Sequence, residues 1–249
     1  MDAHKLEHLF SMLSCQPPAC ISWEDSAPAG AVMPPEGRHA CIINYLRMAW
    51  TQGRTACFDG KSPCCRGGWT YMGYALPPSE AIARFVTTGE GGREGERYLP
   101  HPESMMRYFR ELDIRPAPAP FCVIRPFSAA EGEIALYAFH GRPEELSGLC
   151  MLAWFALDDH EAVAMPFGSG CSNIFSWPAH YQARGRNKAV LGGMDPSCRP
   201  FMGVDELTFT VTPEVLRLML EAAPRSFLMG GTWGGVKKKI GKSRLAWEK

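Results

Sequence analysis

EIALYAFHGRPEELSGLCMLAWFAL, residues 133–157, decides the fold class because two different elements follow one another within it. Residues 133–140 carry the aliphatic and aromatic side chains of a strand. Residues 142–157 read as a helix with Pro143 in its first turn, where a fixed φ helps and the missing N–H costs nothing. Outward from this pair the alternation continues. FCVIRPF (121–127) precedes it as a strand and AVAMPFG (162–168) follows as another. SGCSNIFSWPAHYQA (169–183) is helical with an expected interruption at Pro178. KAVLGG (188–193) and ELTFTV (206–211) are short strands, and TPEVLRLMLEAA (212–223) is a helix with Thr212 as cap and Pro213 first.

The first half is less regular. KLEHLFSML (5–13) puts Leu6, Leu9, Phe10 and Leu13 on one helical face. ACISW (19–23) and RTACFD (54–59) read as strands, ACIINYLRMAW (40–50) as a helix, and PSEAIARFV as a helix beginning near Pro78 with Ser79 as cap. TTGEGGREGERY (87–98) has no apolar period and reads as a mobile surface loop. HPESMMRYFREL (101–112) is a helix, and the alternating prolines of RPAPAPF make an extended connector, the candidate boundary between two halves. Together these elements predict an α/β or α+β protein: a mixed sheet with flanking helices, one compact domain of one or two lobes.

Composition narrows the function classes. With 249 residues, 46% of them hydrophobic, the chain is long enough to bury a full core. Its 26 basic and 26 acidic residues cancel, so no overall field draws in nucleic acid or an anionic membrane. The longest apolar run, LCMLAWFAL (149–157), is far short of a bilayer span, and the amphipathic N-terminus lacks the apolar core of a secretory signal. These features predict a cytoplasmic protein. Its ten cysteines then read as thiols or metal ligands rather than as a disulfide framework.

Three cysteine segments carry the candidate chemistry. In GKSPCCRGGWTYMGY (60–74) Cys64 and Cys65 are adjacent, on a stretch that reads as neither a good helix nor a good strand. Successive side chains of extended backbone point to opposite faces, so at most one of the two serves a site. Gly67 and Gly68 allow another backbone or a ligand to come close. In MPFGSGCSNIF, Gly168 and Gly170 lead into a helix whose N-terminus would favour a Cys171 thiolate or a bound acid. In GGMDPSCRPFMG (192–203), Arg199 beside Cys198 could hold a thiolate, carboxylate or phosphate. Each segment has a plainer reading as a tight turn with a cysteine used as a small apolar filler.

CIINYLRMAWTQGRTACFDGKSPCCRGGWTYMGY, GSGCSNIFSWP and LGGMDPSCRPFMGVDELTFTVTPEVL, in that order, resemble the domain of unknown function 169 family, the uncharacterised ArCR proteins, over residues 19–222. The resemblance implies a shared fold and a site drawn from Cys41, one of Cys64 and Cys65, Cys171, and Cys198 with Arg199. Met194 stands near where relatives often carry a further cysteine. It implies no reaction.

A thiolate set of Cys41, Cys64, Cys65, Cys171 and Cys198 suits zinc or an iron–sulfur cluster, although no C-x-x-C occurs in the chain. The rival is a thiol-dependent enzyme with Cys171 as nucleophile and His180 or His160 as its base. A third reading is a non-catalytic interaction protein with structural cysteines. A small-molecule or metal ligand is the expected partner, with Gly67, Gly68, Gly170 and Arg199 as its binding residues. GGTWGGVKKKIGKS imitates a phosphate-binding loop but has Val236 where the first glycine belongs, so residues 224–249 read as a basic, flexible tail.

Overall fold

The computed structural model describes residues 2–36, 40–75, 80–89 and 94–247. Strands β1 (Ala19–Glu24), β2 (Ala56–Asp59), β3 (Phe121–Pro126), β4 (Leu136–Gly141), β5 (Val163–Ala164), β6 (Ala189–Gly192) and β7 (Leu207–Val211) form one open mixed sheet in the order β2-β3-β1-β4-β7-β6-β5. Neighbours are antiparallel except β5 and β6, which run parallel. The expected α/β class is what the chain adopts, as a single domain.

Side-chain alternation along the strands makes two cores. Ala19 and Ile21 of β1, with Leu136 and Ala138 of β4, face one side. Helices α2 (Ile42–Gln52), α3 (Arg66–Met72), α4 (Glu80–Thr87) and α5 (Pro102–Leu112) cover that side. Cys20, Tyr137 and Phe139 face the other, beneath α1 (Ala3–Leu13), α6 (Pro143–Leu157) and α8 (Pro213–Ala222). Leu6, Leu9, Phe10 and Leu13 are the buried stripe of α1, as their spacing predicts.

Several local expectations are corrected. The proline-rich connector does not divide the chain, because β3, which follows it, lies between β1 and β2, which precede it. Its Ala117 N–H bonds the Gly73 carbonyl at 2.9 Å. Pro178 does not interrupt the helix. Residues 172–176 widen into a π-turn, Ser172–Ser176, and continue as α7 (Trp177–Ala183), so the helix accommodates a proline ring that would clash with a regular α-helical turn. Thr212 does sit at the N-cap of α8, but its hydroxyl makes no cap bond. β5 keeps only two residues, since 165–168 leave the sheet.

The Cys-Cys segment is helical directly after the pair: α3 starts at Arg66 and tolerates Gly67 and Gly68 because it is packed against α2. In the stretch expected as a mobile loop, Glu96 and Tyr98 bond back to the Phe85 and Val86 carbonyls at 2.8 and 3.0 Å. Residues 90–93, together with Pro78 and Ser79, lie outside the described residues. Where the sequence suggested a flexible tail, two 3₁₀ turns lead into α9 (Gly231–Trp247). Trp233 anchors it, buried against Phe227, its indole N–H bonding the Met12 carbonyl at 3.0 Å.

Candidate functional site: a thiol-lined cavity

A short parallel bridge between Ala40 and Cys64 starts the site. Ala40 N–H bonds Pro63 O at 2.8 Å and Cys65 N–H bonds Ala40 O at 3.2 Å. The next residue on each strand of that bridge, Cys41 and Cys65, is the N-cap of a helix, so two thiols distant in sequence leave the bridge at the same end. α3 then packs on the π-turn, with Ser176 Oγ bonding Tyr71 O at 3.2 Å, and this brings up Cys171 at the start of the helical run. Asp195 ties in the fourth segment: its carboxylate accepts Gly170 N–H at 3.2 Å and Ser197 N–H at 3.0 Å. Cys198 is thereby held so close to Gly170 that a Cβ there would lie 3.0 Å from its sulfur.

These four cysteines line one cavity of about 600 Å³. Most of its other walls are apolar, with Val86, Met105 and Phe109 from α4 and α5. Phe85, Tyr98, Met165, Phe167 and Met194 are exposed large side chains, and all five belong to the same lining, so they rim the mouth. The charged lining residues are Arg66, Glu96 and Asp195. Thr70 is fully buried, lines the cavity, and its hydroxyl has no hydrogen-bond partner among the described residues.

Burial and neighbouring charge keep three of the four sulfurs, those of Cys41, Cys171 and Cys198, protonated. A hydrogen bond to Cys65, then burial, then the neighbouring Cys65, Cys41 and Cys198 sulfurs hold the Cys171 thiol well above its ordinary range. Burial pushes Cys198 up to about 11, with Asp195 adding to it and Arg199 opposing. Burial raises Cys41 as well, and Cys65 and Asp195 add to the effect. The Cys198 thiol donates to Asp195 O at 3.1 Å. Cys65 is set apart by its backbone partner: its Sγ accepts the Gly68 N–H at 3.2 Å.

The structure sorts the expected site residues. Cys41, Cys65, Cys171, Cys198, Gly67 and Gly170 all line the cavity. Cys64 does not: it is buried in the sheet-side core, and burial pushes its thiol up to about 12. Gly68 is also off the cavity and is a packing residue, since a Cβ would meet Ile42 Cδ1 at 2.5 Å. Arg199 does not line the cavity. Its two terminal nitrogens bond the carbonyls of Gly193, Glu206, Gly203 and Val204 at 3.1, 2.6, 2.6 and 2.6 Å, which staples the loop. His180 meets the Leu112 carbonyl at 3.1 Å, His160 is exposed, and no histidine among the described residues lines the cavity. Cys171 therefore has no imidazole base there. Among the described residues no group of three or more His, Cys, Asp or Glu is placed to hold a metal ion, so the thiols share a wall without forming a coordination sphere.

Sequence reasoning missed Thr70, Glu96, Asp195 and the aromatic walls. The apolar faces of α4 and α5 were visible as helical periodicity, but periodicity does not distinguish a core from a cavity. Glu96 sits in the stretch taken for a loop.

The fold and cavity define an α/β protein with a sheet covered on both sides and a thiol-lined pocket beside it. The chain belongs to the domain of unknown function 169 family, described as uncharacterised ArCR, whose profile matches residues 15–222. No curated protein and no solved structure matches it.

Proposed function

We propose that the cavity binds one small, mostly uncharged molecule and presents thiols to it. The observation that carries this reading is the convergence of Cys41, Cys65, Cys171 and Cys198 from four segments onto one largely apolar cavity of about 600 Å³, within the range of small-molecule sites. An anionic ligand is disfavoured, because Arg199 is consumed by backbone carbonyls and Glu96 and Asp195 outnumber Arg66 on the described lining.

Nile red, an uncharged apolar dye, tests the reading. The native protein should enhance and blue-shift its emission. Gly67→Leu should abolish that response, because a Cβ at Gly67 meets nothing nearer than Tyr71 at 3.7 Å, so the added side chain projects into the space without breaking α3. An equal response from the folded variant would defeat the proposal.

A second reading, a soft-metal or iron–sulfur centre on the same thiols, is favoured by one observation: neighbouring sulfurs disfavour the ionisation of Cys41, Cys171 and Cys198, which a bound cation reverses. A cation would have to draw the thiols together. Anaerobic purification with iron, zinc and sulfide quantitation decides it, and absence of all three from protein with every thiol reduced would exclude this second reading.

A further inference from the structure

Cys65 and Cys171 are not equivalent members of the thiol wall. The Cys171 thiol is hydrogen-bonded to Cys65, which joins the start of the π-turn to the start of α3. Cys65 Sγ also accepts the Gly68 N–H, and Gly68 has no side chain to cover that approach. Of the two sulfurs, Cys65 Sγ is thus the one that accepts a backbone N–H. Donors directed at a sulfur favour its anionic form. Both atoms open onto the same cavity.

We propose that Cys65 and Cys171 form a redox-active dithiol that reduces a small, uncharged disulfide entering the cavity, with Cys65 as the attacking sulfur and Cys171 as the resolving one. The proposal rests on the reading of the cavity as a site for an uncharged small molecule, and it adds the substrate class and the reaction. The apolar walls admit an uncharged disulfide, and Glu96 and Asp195, two carboxylates against the single Arg66, oppose one bearing carboxylates. The assignment also exchanges the role expected for Cys171, whose proton is committed to its neighbour.

The exchange balances without a further reactant. Cys65 loses its proton to solvent, and its thiolate attacks one sulfur of the substrate. The substrate S–S bond breaks, and the departing sulfur takes up a proton as the first product thiol. Cys171 then gives up its proton and attacks Cys65 Sγ, and the mixed disulfide breaks to release the second product thiol in protonated form. The substrate gains two electrons and two protons, and the protein loses two hydrogens and holds a Cys65–Cys171 bond. An added dithiol reduces the Cys65–Cys171 bond, is itself oxidised to a disulfide, and returns the protein to its starting dithiol state.

The test uses the full, reduced chain exposed separately to bis(2-hydroxyethyl) disulfide and to oxidised glutathione, followed by acid quench, alkylation, digestion and mass spectrometry. The expected product is a Cys65–Cys171 linked peptide, formed about tenfold faster with the uncharged reagent and lost on adding dithiothreitol. Cys171→Ser should accumulate a mixed disulfide on Cys65, whereas Cys65→Ser should leave Cys171 unmodified over the same time. Cys150→Ser, on α6 across the sheet, should behave as the native protein. Dominant linkage of any other pair, no linkage, or equal rates with the two reagents would overturn the proposal. The native-chain mapping needs no variant to fold. A positive Nile red response with no linked peptide sinks the dithiol alone, while loss of both sinks the cavity reading with it.

Discussion

Adjacent glycines in α3 should respond to alanine with opposite signs, and the contrast tests how the thiol wall is held. At Gly68 a Cβ would lie 2.5 Å from Ile42 Cδ1, 3.2 Å from Ile42 Cγ1 and 3.3 Å from Cys65 Sγ. Ile42 is fully buried, so its end carbon can retreat only into filled core. Overpacking of this kind costs about 1–3 kcal/mol, and the better helix propensity of alanine returns up to about 1 kcal/mol. With the full return the net loss for Gly68→Ala is about 0–2 kcal/mol, or a fall of up to roughly 8 °C in Tm for a chain of this size. At Gly67 the nearest atom to a new Cβ is Tyr71 Cε2 at 3.7 Å, an ordinary contact. Gly67→Ala should therefore gain between zero and about 1 kcal/mol. Thermal unfolding by circular dichroism gives both signs, and alkylation of Cys65 should slow in Gly68→Ala alone, as displacing the N–H donor removes support for its thiolate. A Gly68→Ala protein melting at or above the native value would show that α3 does not ride this closely on α2.

Three other perturbations read different parts of the molecule. Arg199→Met removes the donors to four carbonyls and should cost on the order of 2–4 kcal/mol in urea unfolding; a loss within error of zero would mean the loop holds itself. His140 is stacked on Trp50 with ring centroids 4.4 Å apart, and burial lowers its pKa against the partial opposition of Glu206. The folded state favours neutral His140, so the unfolded chain protonates first as pH falls through 6.5. Stability should decline from neutral pH through that value and level off below the folded pKa. His140→Phe should flatten this segment of the profile, and an unchanged slope would remove His140 as its source. Trp233→Ala strips the anchor of α9 and should expose residues 231–247 to limited proteolysis while the sheet persists, an effect worth about 3–5 kcal/mol locally. Cleavage no faster than in the native chain would show that α9 is held by other contacts.

Much of the fold was legible because its signals are local. The stripe of α1, the strand-to-helix step at Pro143, and the alternation of β1 and β4 each depend on a single periodicity that burial then rewards. The adjacency of Cys64 and Cys65 was also readable: extended backbone sends them to opposite sides, and the core takes one while the cavity takes the other. What could not be read depends on partners remote in the chain. Arg199 looks like an anion ligand beside Cys198 until four carbonyls claim its fork. Pro178 looks like a helix stop until the π-turn makes room for it. Glu96 looks solvated until its backbone bonds to Phe85 and its side chain joins the cavity lining.

The wall of four thiols imposes an order on whatever chemistry occurs there. Neutral thiols are cheap to bury, so the resting site costs the fold little. One thiolate in an apolar cavity is costly, and a second beside it more so, because each sulfur raises the ionisation cost of its neighbours. The wall therefore works through one anionic sulfur at a time unless a cation enters. Cys65 is the position best suited to that single charge, since the Gly68 amide points its hydrogen at it. In the proposed exchange, bonding of a substrate sulfur to Cys65 removes that charge, and Cys171 reacts second.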